Sequence, residues 1–228
     1  TIFGGTPEIV DNALSNIIVP LAVGGIFVGT IMAIYEADIK KMFAHSSVAQ
    51  IGYIALGLAL ATPAGISAGF IHISNHALIK GGIFMAIGGF VAALGARASL
   101  ETMTGIGRRM PITATAFLIC GLSLAGLPLT AGFISKLYLV RAILETDSYV
   151  ILALVLISSA LSVVYLWKVM EVMWMQPAPA RLPKLVEIHA IYLPLWMVAF
   201  GNIWFGIDAG WIVGAAGLAA TALLGGGA

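Results

Sequence analysis

Long apolar runs separated by short polar stretches dominate this chain. A membrane-spanning helix needs roughly 20 largely apolar residues. Runs of that kind cover residues 16–35, 46–61, 66–94, 112–144, 149–173 and 188–205. A last apolar stretch, 211–224, is shorter and rich in alanine and glycine. It reads as a helix lying on the membrane surface in preference to a thin span. The pattern therefore predicts an all-α membrane protein with about six transmembrane helices.

Two of the runs are too long for straight spans. The run 66–94 is interrupted by Gly81-Gly82 and Gly88-Gly89. The run 112–144 contains Ala-Gly-Leu-Pro-Leu-Thr-Ala-Gly at 125–132. Pro128 removes a backbone donor and clashes with the preceding turn, and Gly126 and Gly132 lower helix preference further. A helix broken mid-membrane is expected there. Lipid cannot satisfy the freed backbone groups, so the break must face protein or water.

Composition agrees with that pattern. The chain has 228 residues, 61% hydrophobic and 9% charged, with mean hydropathy +1.06. Soluble domains carry about 25% charged residues, so the solvent of this protein is lipid. Net charge is +1, and no basic patch interleaved with aromatics points to nucleic acid.

If the runs alternate in direction, one side of the membrane holds Lys40, Lys41, Arg97, Arg108, Arg109, Arg181 and Lys184. The other holds Glu8, Asp11, Glu145, Asp147 and Asp208, with Arg141 near it. The positive-inside rule makes the basic loops cytoplasmic. A multi-pass protein of the cell (inner) membrane is implied.

Ionisable residues inside a membrane are costly and mark ion pathways by default. His72, His76 and Lys80 recur at i, i+4 and i+8, which puts them on one helical face within about 80° of arc, climbing roughly 12 Å. Histidine passes protons through either ring nitrogen. Two histidines and a lysine in register suit a proton wire; the plainer alternative is hydrogen bonding to neighbouring helices. Lys136 follows the expected break, in the first turns of the second half-helix. A helix N-terminus disfavours an ammonium, as does removal from water, so this amine suits the loading and release of a proton.

Lys40, with Asp38 and Lys41, ends the first span. It reads equally as a cytoplasmic anchor or as a proton-uptake relay helped by His45, Ser46, Ser47 and Gln50. Lys168 and Glu171 stand three apart, which most often means a structural ion pair; a transport role is the lesser reading. Arg141 is expected to snorkel to the surface, and His45 and His189 to be interfacial. The lone Cys120 reads as a packing residue. No phosphate loop, nucleophile elbow or metal-ligand spacing is present, and His72-Ile-Ser-Asn-His76 lacks the glutamate of the zinc helix it resembles. No cofactor and no metal are expected.

The run from Asp38-Ile-Lys40 through His45-Ser-Ser-Val-Ala-Gln50-Ile-Gly-Tyr53 resembles the antiporter-like subunits of respiratory complex I and of Mrp-type cation/proton antiporters. So does His76-Ala-Leu-Ile-Lys80. Gly105-Ile-Gly-Arg-Arg-Met-Pro111, with Leu122 through Lys136, is most similar to the D component of the Mrp complexes. The resemblance covers nearly the whole chain. That family builds two inverted five-helix repeats, each with a broken helix, and this chain matches the second repeat (1–175) plus a cytoplasmic loop, a trailing helix and a short C-terminal apolar segment (176–228). It implies that Lys136 exchanges protons with the outer side, that His76 and Lys80 form a central relay, and that Lys40 conducts at the cytoplasmic end of its helix. His45 stands where the family usually has tyrosine. The first repeat, with its glutamate–lysine pair, has no counterpart here, so a partner chain should supply it, or the chain is a remnant.

Three functions follow as expectations. The first is a proton-translocating subunit of a multi-subunit sodium/proton antiporter, without catalytic chemistry of its own. The second is a proton-pumping membrane subunit of a complex I-like or hydrogenase-type redox enzyme. The third is a non-conducting scaffold. Other membrane subunits, the lipid bilayer, protons and, for the first function, Na+ are the expected partners.

Overall fold

The computed structural model describes residues 7–177 and 187–224, with side chains from residue 16 onward. Arg181 and Lys184 lie outside the described residues, as do the side chains of Glu8 and Asp11. Regular structure among the described residues is helical, apart from one isolated β-bridge between Asp38 and Ser99. Helices α1 (Pro7–Tyr35), α2 (Ile39–Ala59) and α3 (Pro63–Leu94) come first. The short α4 (Ile106–Arg109), the pair α5 (Pro111–Ala125) and α6 (Ala131–Leu144), then α7 (Tyr149–Met170), α8 (Tyr192–Ile207) and α9 (Gly210–Leu223) follow. A π-helical turn, Glu171–Met175, extends α7.

Local chemistry sets these boundaries. The Asp38 carboxylate accepts from the Lys41 amide and caps α2. Thr62 caps α3 through the Gly65 amide, with Pro63 in the first turn. Both are N-cap arrangements that satisfy an otherwise orphaned donor. The α2 cap corrects one expectation: Asp38, Lys40 and Lys41 open α2 instead of closing the first span, and α2 begins seven residues before the apolar run at 46–61. The reason is that a capped first turn tolerates charge at a helix end where a hydrophobicity count does not.

A second correction concerns α3, which runs unbroken for 32 residues through both glycine pairs. Glycine weakens a helix but still donates its N–H, whereas proline does not. In a medium without competing water the helical bond is the best one open to that backbone. At 1.5 Å per residue α3 is about 48 Å long, longer than the roughly 30 Å hydrocarbon core. Gly82 and Gly89 serve packing, because a Cβ at either would collide with Cys120 or Ile191.

Five helical stretches among the described residues are long and apolar enough to cross a membrane. The pair α5–α6 supplies the sixth crossing as two halves of 15 and 14 residues, separated at 126–130. Gly126 ends α5 in the left-handed region, at φ 87°. The break is satisfied by protein: the Thr130 hydroxyl donates to the Leu127 carbonyl, the Gly132 amide to the Ser123 hydroxyl and Asn75 to the Ala131 carbonyl.

Helices meet through small residues, as lipid-embedded interfaces require. Gly52 of α2 lies against the Ala22 carbonyl of α1, and Gly57 against Gly65 and Gly69 of α3. Helix α8 packs on α3, α5 and α6, and α9 docks along α3 through Ile212, Ala216 and Ala220. The loops 36–41 and 96–105 meet through Ile39 N–H to Ala98 O and Leu100 N–H to Ala37 O, and Gly105 N–H reaches Val172 O. Lys40, Lys41, Arg97, Arg108 and Arg109 therefore gather at one end of the bundle.

Candidate functional site

The track of buried polar groups lies where α2, α3 and α6 meet. The face of α3 predicted from spacing does point inward. His72 is 2% exposed. Its Nδ1 lies 2.8 Å from the Ser135 hydroxyl of α6, and its Nε2 lies 3.1 Å from the Gln50 carboxamide oxygen of α2. The His76 ring stacks beside it, centroids 6.4 Å apart. The Nε2 of His76 is buried without a hydrogen-bond partner. Lys80 is 6% exposed. Its amine turns to α2, donating to the Phe43 carbonyl at 2.7 Å and to the Ser46 hydroxyl, over the Phe43 ring.

Lys136 is 8% exposed and sits in the second turn of α6, as expected. It is removed from water, as expected, but the helix-dipole part of the expectation is reversed. The amine reaches back across the break and donates to the last carbonyls of α5, Leu124 at 3.1 Å and Ala125 at 2.9 Å, and to the Ser159 hydroxyl of α7 at 2.9 Å. It therefore occupies the negative end of the α5 dipole rather than the positive end of α6. The cause is geometric: Gly126 has no side chain, and the Lys136 methylenes run over it.

The group expected around Lys40 does not assemble. Lys40 is exposed on the first turn of α2. His45 faces Glu36, Nε2 to Oε2 3.7 Å, while Ser46 serves Lys80 and Gln50 serves His72. Ser46 and Gln50, four apart, share the face of α2 turned to α3, while His45 points to the Glu36 side, so the three do not gather at Lys40. The Lys168–Glu171 ion pair is absent among the described residues. Lys168 instead donates to the carbonyls of Ile34 and Glu36, at 3.1 and 3.2 Å, which the C-terminus of α1 leaves unpaired. Arg141 is exposed and lies over the Tyr138 ring.

The sequence reading passed over Tyr53, Ser135 and Ser159. Tyr53 is buried, with its ring 5.7 Å from the Lys136 amine and 5.8 Å from the His72 ring, and its hydroxyl makes no hydrogen bond of ordinary geometry. A signal was available: Tyr53 lies one helical turn beyond Gln50, and Ser158, Ser159 and Ser162 are the polar residues of an otherwise apolar stretch of α7. Glu187 was also missed. It accepts from the Ile112 and Thr113 amides and caps α5. No three of His, Cys, Asp and Glu converge among the described residues in a way that would hold a metal. What the track holds is amines and imidazoles, which can take up and release protons, with hydroxyls and a carboxamide that hydrogen-bond them.

A membrane bundle with a broken helix and a lysine–histidine track defines the class, and comparison with known proteins places the chain within it. Residues 3–162 match the family described as NADH:quinone oxidoreductase/Mrp antiporter, TM, and the chain belongs to that family. It is 42% identical over 159 residues to NADH-quinone oxidoreductase subunit N of Desulforudis audaxviator, covering 70% of this chain and 32% of that protein. It is 30% identical over 191 residues to F(420)H(2) dehydrogenase subunit N of Methanosarcina mazei, covering 80% and 38%. A chain of the membrane-bound sulfane sulfur reductase, an archaeal respiratory membrane complex, superposes with TM-score 0.84 at 32% identity, over 92% of this chain and 42% of that one. A chain of the Mrp complex from Dietzia sp. DQ12-45-1b gives TM-score 0.82 at 24% identity, over 91% and 47%; it shows the shared fold. The chain thus spans between about a third and a half of the length of these relatives.

Proposed function

We propose that this chain moves protons through the membrane as one subunit of a larger respiratory-type complex, with Lys136, His72, His76 and Lys80 as the stations of its path. The observation that carries this reading is the burial of Lys136, His72 and Lys80 among polar partners contributed by α2, α5, α6 and α7, with the half-buried His76 ring stacked beside His72. A buried ammonium or imidazole is costly in lipid, and the hydroxyls and carbonyls that receive these groups offset that cost. Residues 1–175 form the conducting repeat, with 176–228 as its trailing part. The remaining half of the path belongs to a segment corresponding to the rest of the relatives' length, on the same or a partner chain.

The relatives at 30% identity or more are named as subunits of NADH-quinone oxidoreductase and F(420)H(2) dehydrogenase. This favours a redox-driven host, in which partner subunits handle electrons. Sodium/proton antiport, as in the D component of an Mrp complex, is the second reading, and the family description, which spans both kinds of complex, supports it. The basic end of the bundle is cytoplasmic by the positive-inside rule, and the exposed Lys40 there would act at the uptake end without help from His45, Ser46 or Gln50.

The test is Lys136→Ala in membrane vesicles holding the assembled complex. Proton uptake driven by the electron donor should be lost with assembly retained. Undiminished proton movement would leave the chain a scaffold. Dependence of uptake on Na+ separates the two hosts.

A further inference from the structure

The two hydrogen bonds of His72, taken with the one its partner Ser135 makes, need one proton more than a neutral imidazole brings. Its Nδ1 meets the Ser135 hydroxyl, its Nε2 meets the Gln50 carbonyl oxygen, and the Ser135 hydroxyl also meets the Gly132 carbonyl. The Ser135 proton can serve Nδ1 or Gly132, not both. A carboxamide oxygen only accepts. All three contacts hold at once only when both ring nitrogens carry hydrogen, that is, for the imidazolium. A neutral ring has one proton fewer, and one partner must turn.

We infer that Ser135 and Gln50 are the two positioning groups that select which nitrogen of His72 keeps its proton, and so the side from which a proton leaves. The inference deepens the proton-path reading and rests on it. Loss of the Nδ1 proton, to water or to a neutral amine on the α6 side, breaks that N–H. Ser135 then swings from the Gly132 carbonyl to donate to Nδ1, while Nε2–H stays on the Gln50 oxygen. Loss of the Nε2 proton, to water on the α2 side, is answered by rotation of the Gln50 carboxamide, whose NH2 then donates to Nε2. Neither state leaves a ring nitrogen unpaired, which a buried polar group tolerates poorly. Ser135 adjoins Lys136 in sequence, so the Nδ1 side is the side of the break. The titratable groups around His72 are Tyr53 on α2, Lys136 on α6 and His76 on α3, with Lys80 beyond His76. None of them bonds either ring nitrogen, which leaves the selection to the serine and the glutamine.

The experiment is 15N magnetic resonance on the full chain, labelled at histidine and held in its complex in lipid bilayers. The His72 signals are assigned by their loss in His72→Gln. Protonated and bare ring nitrogens have well-separated shifts, so each tautomer is read directly. Ser135→Ala should move neutral His72 to the Nε2–H form, and Gln50→Leu should move it to the Nδ1–H form. Gln50→Glu, which keeps the shape and in its ionised form only accepts, should hold Nε2–H at pH values where that carboxyl is ionised, and Ser135→Thr should return the original spectrum. Shifts that stay unchanged, or that move the same way in Ser135→Ala and Gln50→Leu, overturn the inference whatever transport does. Proton uptake that survives Lys136→Ala overturns the functional reading without moving these shifts.

Discussion

The Lys136 amine lies 5.7 Å from the centre of the Tyr53 ring, and that ring stands 5.8 Å from His72. Tyr53 thus separates the two stations that belong to different helices. The ring face stabilises a nearby cation by about 0.5–2 kcal/mol, whereas the hydroxyl faces Ser158 without a hydrogen bond of ordinary geometry. Tyr53→Phe should therefore assemble as well as the parent and carry protons at a similar rate. Tyr53→Leu should lower both. Complex abundance and proton uptake in vesicles check this, and a large loss in Tyr53→Phe would show that the hydroxyl acts in the path.

The break should tolerate no side chain at Gly132, where a Cβ would run into the Ser123 carbonyl. Gly132→Ala is expected to abolish the folded subunit or shift its thermal midpoint downward by many degrees. Gly88→Ala meets open space and should raise stability by about 0.5–1 kcal/mol, the usual gain for alanine over glycine inside a helix. Thermal unfolding of the purified complex distinguishes the pair.

Lys168 and Glu171 should behave unequally. Lys168→Met removes the donor to the last carbonyls of α1 and is expected to cost about 1.5–3 kcal/mol, the range for hydrogen bonds from charged groups. Glu171→Gln should change stability little. Equal effects of the two substitutions would restore the ion pair that their spacing suggests.

Glu36, between α1 and α2, gives a pH dependence outside the membrane. The Asp38 and Ala37 amides hold its carboxyl below the usual value of 4.5 against a smaller upward push from desolvation, with the charges of Lys41 and His45 adding the least. A carboxyl with a lowered folded-state value contributes stability that is complete above its unfolded value and is lost as pH falls through the folded one. The α1–α2 turn should therefore loosen on acidification below about 4.5, and Glu36→Gln should remove that dependence. Amide exchange at Ala37 and Asp38 across pH provides the measurement.

The sequence alone determined the class of protein, the number of crossings, the break in the fourth crossing and the inward face of His72, His76 and Lys80. These are local properties: the length of an apolar run, a proline flanked by glycines, a spacing of four on one helix. It misread the glycine pairs of α3, because a missing side chain looks the same on paper whether it weakens a helix or admits a neighbour. Only the tertiary structure decided where the amines end. Lys136 turned to carbonyls 11 and 12 residues back, Lys168 to carbonyls 132 and 134 residues away, and His72 to partners 22 and 63 residues distant. A long side chain in lipid goes wherever an unpaired oxygen is within reach, and helix packing, not chain order, brings those oxygens close.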